Sequence, residues 1–143
     1  ARHLAVQADV ERRQHRTHRL GKTHILEAAA ARHDWQATDL NSSWRYVFMA
    51  LVRRDPAFGD PRQIAASTTN WNRMMSILDA RLTATQAFVA GADFTLADIP
   101  IGLSVNRWYM TPMERPALPA VAAYYERLST RPAFLKHGRN GIY

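Results

Sequence analysis

Four polar side chains, Asp34, Thr38, Asn41 and Arg45, recur at i, i+4, i+7 and i+11, a spacing that aligns them along one face of a helix. A carboxylate, a hydroxyl, an amide and a guanidinium in one row can hold a polar ligand, the guanidinium through a forked contact that stays charged at any working pH. The row is either a solvated face or the border of a cleft. A second cluster is the run from Glu11 to Arg19, where His15 and His18 stand among arginines. Two imidazoles fall short of the three or four ligands a zinc site takes, so no metal is assigned. The chain has no Cys, which removes disulfides, thiolate nucleophiles and Cys-ligated zinc and fits a reducing compartment. There is no Gly-rich phosphate loop and no Ser, His and Asp set at triad spacing. The acidic residues are scattered, so the residues alone name no catalytic group.

The elements that must carry these side chains are helices. From Ile25 the residues Ile25, Ala28, Ala29, Arg32, Gln36, Leu40, Trp44, Val47, Phe48 and Leu51 recur at three- and four-residue steps. They predict one long amphipathic helix ending before Asp55-Pro56, with Arg32 and Gln36 as polar exceptions on the apolar stripe. Asp60-Pro61 supplies an N-cap and an N1 proline for a second helix running on Ile64, Ser67, Trp71, Met74, Met75, Leu78 and Leu82. A third runs from Leu96 to about Met110, with Asn106, Arg107, Trp108 and Tyr109 as polar handles at its far end. A fourth follows the prolines 112, 116 and 119 on Leu118, Val121, Tyr125 and Leu128.

The third helix has the strongest start signal. With Thr95 as N-cap, its hydroxyl is expected to accept the N–H of Asp98, while the Asp98 carboxylate reaches back to the N–H of Thr95, as in a capping box. Phe94 and Ile99 stand where a hydrophobic staple would set the angle of the incoming chain. Leu96 to Val105 has only Asp98 and Ser104 as polar residues, which predicts a helix buried on all sides at the centre of the bundle.

Charge is unevenly placed. The net charge is +7 over 143 residues, yet residues 1–24 contain six cations against two anions. The basic excess is therefore an arm, expected to bind nucleic acid only weakly and without sequence preference. No apolar run is long enough to span a membrane, and the first thirty residues lack the apolar core of a signal peptide, so a cytoplasmic location is expected. The remaining length, 25–143, suits one domain with a sizeable core.

The stretch Phe88-Val89-Ala90-Gly91 followed by Phe94-Thr95-Leu96-Ala97-Asp98-Ile99-Pro100 resembles the signature of the C-terminal, all-helical domain of glutathione transferases. Other pieces fall in that family's order: Asp34-Trp35-Gln36, Leu40-Asn41 and Trp44-Arg45 upstream, then Ile77-Leu78-Asp79, Arg107-Trp108, Glu114-Arg115-Pro116 and Arg131-Pro132-Ala133-Phe134. The likeness covers 26–143 and is to bacterial members. It implies an all-α helical bundle in which the Thr95, Asp98, Phe94 and Ile99 cluster is a folding element. It also implies that the missing partner is a thioredoxin-like domain, which binds glutathione and stabilises its thiolate; residues 1–24 are too short to be that domain. The chain is thus expected to be a truncated, substrate-side half, with glutathione as the family's co-substrate, no cofactor of its own, a small electrophile as ligand and a homodimer as the intact protein. No catalytic residue carries over, and transferase activity is expected only when the halves are joined. On the same resemblance Thr38, Asn41 and Arg45 form one wall of the electrophile site, Arg45 orienting an anionic or carbonyl-bearing substrate, and Trp108 gives an aromatic face on the other. The alternative is a stand-alone helical module that binds proteins.

Overall fold

The structure, a computed structural model, describes residues 34–142. The arm at 1–24, its histidines and the start of the first helix at 25–33 lie outside the described residues. Among the described residues the chain is all helical. A π-helical segment, Gln36–Leu40, runs directly into α1, Asn41–Leu51. A 3-10 turn at Pro56–Phe58 leads to α2, Pro61–Thr85, followed by α3, Asp98–Met110, α4, Pro119–Ser129, and the short α5, Pro132–His137. α1 packs along α2, α2 also packs on α4, and α4 receives α3 and α5. No helix of the described residues is long and apolar enough to cross a membrane.

Local chemistry explains the boundaries. The Asp60 carboxylate accepts the Arg62 N–H at 2.9 Å and Pro61 opens α2, as an N-cap followed by proline requires. That helix runs past Leu82 to Thr85, where Gln86 turns left-handed at φ 62° and donates its N–H to the Leu82 carbonyl. The N-terminus of α4 is capped from another helix, because Asp79 of α2 accepts the Val121 N–H at 2.9 Å. Where α1 crosses α2, Ser67 donates to the Ser43 carbonyl at 2.8 Å and accepts the Val47 N–H at 3.2 Å. Gly102 of α3 sits where a Cβ would come within 2.6 Å of Leu128 Cδ1 and 3.1 Å of the Phe134 ring. A side chain at this position would push the Leu128 and Phe134 side chains aside, so glycine suits the close approach of α3 to α4 and α5.

The core is built by Leu40 and Val47 from the first helix, Trp71, Met75 and Leu78 from α2, Ile101, Val105 and Trp108 from α3, and Val121, Tyr124 and Leu128 from α4. The expectation that the third helix is buried all round is corrected. Leu96 is 80 % exposed, Ile99 48 % and Leu103 38 %. Ile99 and Leu103, four residues apart, share one side of α3, Leu96 stands in the turn just before it, and the core residues Ile101, Val105 and Trp108 lie on the other side.

The start of α3 departs from a reciprocal capping box. Asp98 is fully buried and its Oδ2 accepts the Thr95 N–H at 2.8 Å, but the Thr95 hydroxyl also donates to that oxygen, at 3.1 Å. The Asp98 N–H goes to the Thr95 carbonyl at 3.0 Å instead. The Asp98 Oδ1 accepts the Val89 N–H at 3.1 Å and the Tyr124 hydroxyl at 3.0 Å. Phe94 and Ile99 share the lining of one apolar recess with Leu128 and Phe134. The Phe94 ring is engaged by Phe88, edge to face at 5.8 Å, and by the Arg131 guanidinium at 3.7 Å.

Removing the Asp98 carboxylate strands two backbone N–H groups and a phenol inside the fold. Asp98→Ala should therefore destabilise the chain by about 3 kcal/mol or more, whereas Thr95→Ala, which loses a hydroxyl and no backbone bond, should cost about 1 kcal/mol. Urea denaturation of both variants measures this, and equal midpoints for the two would refute the unequal roles.

Candidate functional site

Of the four side chains expected to bind a substrate, two are exposed, one is half-buried and one is buried. Thr38 is exposed and its hydroxyl donates to the Asp34 carbonyl one turn back, at 2.8 Å. Arg45 is exposed and forms no ion pair among the described residues. Asn41 is half-buried, and its Oδ1 accepts from Gln36 Nε2 at 3.0 Å and from the Trp44 indole at 3.1 Å. Trp108 requires a correction, because it is 1 % exposed and offers no aromatic face to a ligand. It follows Ile101 and Val105 at i+7 and i+3 on the core stripe, and its indole donates to Asn72 Oδ1 at 2.9 Å. Asn72 in turn donates to the Glu114 carbonyl at 3.0 Å.

The structure brings a different group together, from the first helix and the far half of α3. The π-helical segment carries an extra residue per turn, with the Asn41 N–H reaching the Gln36 carbonyl, an arrangement that is common at functional sites. Gln36 is buried inside that segment and donates from Nε2 to Ser104 of α3 at 3.1 Å as well as to Asn41. One turn of α3 beyond Ser104, the Arg107 guanidinium lies 4.4 Å from the centre of the Trp44 ring and 5.6 Å from that of Phe48. Arg53, just past the end of α1, approaches Phe48 to 5.7 Å. Trp44 meets Phe48 edge to face at 5.2 Å and Trp71 at 6.0 Å.

Electrostatically this corner is positive and partly dry. Burial lowers the Arg107 pKa from its ordinary value, and the nearby charge of Arg53 lowers it further. Arg107 Nε is buried without a hydrogen-bond partner, and the residue has no ion pair among the described residues. The ring quadrupoles of Trp44 and Phe48 offset part of this charge. Chemically, the corner sets a guanidinium against an apolar aromatic surface. It holds no metal set: no cluster of three His, Asp or Glu among the described residues could bind an ion. Gln36 was visible in the sequence as a polar interruption of the apolar stripe, and Arg107 stood one position before the tryptophan singled out instead.

Residues 44–132 match the family described as the glutathione S-transferase C-terminal domain. The chain is 29% identical over 103 residues to glutathione S-transferase GstB of Escherichia coli strain K12, a match covering 72% of this chain and 49% of that protein. It also superposes on the theta class glutathione S-transferase of Xanthomonas axonopodis pv. citri, solved with glutathione bound. There the TM-score is 0.74 and the identity 31%, covering 80% of this chain and 60% of that one. The apo form of the same enzyme gives a TM-score of 0.73. The chain thus spans about half the length of the curated relatives it matches.

The different settings of the two walls predict different mutational costs. Arg45→Ala should change stability by no more than about 0.5 kcal/mol, as at an exposed site. Trp108→Phe, which leaves Asn72 Oδ1 without its donor, should cost about 1 to 2 kcal/mol. Thermal unfolding of both variants provides the comparison, and a larger loss for Arg45→Ala would make that arginine a structural residue.

Proposed function

This chain belongs to the glutathione S-transferase C-terminal domain family, and from that premise we propose that it is the electrophile-binding side of a transferase that conjugates glutathione to small electrophiles. The observation that carries the reading is the Arg107–Trp44 stack, tied to the first helix by Gln36 and Ser104. It joins the first helix to the far half of α3, the two elements that the family resemblance sets against the thioredoxin-like domain. In this reading that domain, elsewhere in the same protein or in a partner, binds glutathione and lowers the pKa of its thiol. The thiolate sulfur attacks the electrophilic carbon, the leaving group departs with the bonding electrons, and the thiol proton has already passed to solvent.

The residues of this chain bind and orient. Trp44 provides an apolar edge for the electrophile, Asn41 fixes the Trp44 indole, and Arg107 attracts the group on which negative charge develops. Thr38 and Arg45, both exposed, form the outer rim. The same reading makes the intact protein a cytoplasmic homodimer with a detoxifying role, as the resemblance implies. A second reading, a helical module that binds another protein, is favoured by the uncovered face of Leu96, Ile99 and Leu103.

A fusion separates the two. The chain alone should neither stay on immobilised glutathione nor turn over a chloronitrobenzene, whereas the chain fused behind a glutathione-binding thioredoxin-like domain should do both. In the fusion, Trp44→Ala should lower turnover about tenfold with little change in the KM for glutathione. A fusion that binds glutathione yet conjugates nothing would favour the protein-binding module.

A further inference from the structure

Arg107 is held in a setting that a purely structural arginine rarely occupies. It is half-buried, its Nε is shielded from water without a partner among the described residues, and the charge that acts on it is that of another cation, Arg53. A desolvated cation without a carboxylate is costly, and aromatic faces repay only part of that cost. Arg115 also has a buried Nε without a partner among the described residues, but its Nη2 donates to the Thr111 carbonyl, and three further arginines are satisfied in the usual ways. Arg81 donates to the carbonyls of Val89 and Ala90, Arg127 to those of Ala87 and Gln86, and Arg139 pairs with Glu126 at 2.8 Å. Arg107 and Arg53 instead each lie beside the same ring, at 5.6 and 5.7 Å from the centre of Phe48, and the charge of Arg53 is felt at Arg107. Two like charges that repel each other beside one aromatic ring form a seat for an anion, which would offset that repulsion.

We propose that Arg107 and Arg53 bind the anionic group of the substrate, a carboxylate or sulfonate carried on an apolar body that rests against Trp44. This rests on the electrophile-side reading and narrows it, from small electrophiles in general to those bearing a negative charge. Arg107 supplies the dry, fixed contact. Arg53, which is exposed, supplies a contact that salt weakens.

The test is calorimetric titration of the 143-residue chain with naphthalene-2-sulfonate and with its neutral counterpart, naphthalene-2-sulfonamide. The sulfonate should bind at least about tenfold more tightly, as one charge-assisted hydrogen bond allows, and the preference should shrink as salt is raised. Arg107→Met and Arg53→Met should each remove most of the preference while leaving the sulfonamide affinity within about twofold. Arg53 is exposed, so Arg53→Met decides the matter even where Arg107→Met fails to fold. Equal binding of the two probes would overturn the anion seat and leave the apolar wall standing. A preference for the sulfonate that survives both substitutions would place the anion elsewhere and equally overturn it. Binding of neither probe would overturn the wall along with the seat.

Discussion

A buried carboxylate that has no cation paired with it among the described residues governs this fold. Asp98 is inaccessible to water and its two oxygens accept four hydrogen bonds, from Thr95 N, Thr95 Oγ1, Val89 N and the Tyr124 hydroxyl. An ionised carboxylate taken from water loses far more hydration energy than one neutral contact returns, so a full shell of donors at the start of a helix is what makes the arrangement stable. The same contact is written in the chemistry of its partner: burial first, and then the nearby Asp98 charge, raise the Tyr124 pKa well above its ordinary value. The connection between α2 and α3 is therefore pinned on both of its polar faces. Asp98 takes N–H groups, while Arg81 donates to the carbonyls of Val89 and Ala90 and Arg127 to those of Gln86 and Ala87.

The candidate site is tied to this anchor through the stiffness of α3. From Asp98 to Arg107 the helix rises about 13 Å, and it is locked along that length by Gly102 against α4 and α5 and by Ser104 against Gln36. The position of the Arg107 guanidinium over Trp44 thus follows from a capping interaction at the opposite end of the helix. The first helix is held on the other side by the Ser67 bridge to α2. The candidate site lies where two independently braced helices meet, a setting in which side chains keep their geometry without a ligand.

Much of this architecture is legible in the chain. The Asp60-Pro61 start of α2, the apolar period of Trp71, Met75, Leu78 and Leu82, and the involvement of Asp98 at the start of α3 follow from local rules whose partners lie within a few residues. The features that escape are those decided by more distant contacts. A run that is apolar on every side does not reveal which face its neighbours will leave bare, so Leu96, Ile99 and Leu103 read as core and stand in water. Arg107 and Trp108 differ in phase by one residue, about 100° of helix rotation. The Ile101, Val105 and Trp108 spacing already put the tryptophan inside, yet its likeness to a binding aromatic outweighed that arithmetic. The pairing of Gln36 with Ser104, across 68 residues, leaves only one trace in the sequence, a polar side chain where the apolar stripe should continue.

The dependence of the fold on Asp98 is tested most directly by native-state hydrogen exchange at the Val89 and Thr95 amides, which sit in a connection that a loose loop would leave open to water. Both should exchange as slowly as the amides of Val105 and Leu128 in the core, and both should become fast in Asp98→Asn while amides in the middle of α2 stay protected. Exchange of Val89 and Thr95 in the unaltered chain at the rate of the exposed residues Asp93 and Gly141 would contradict it.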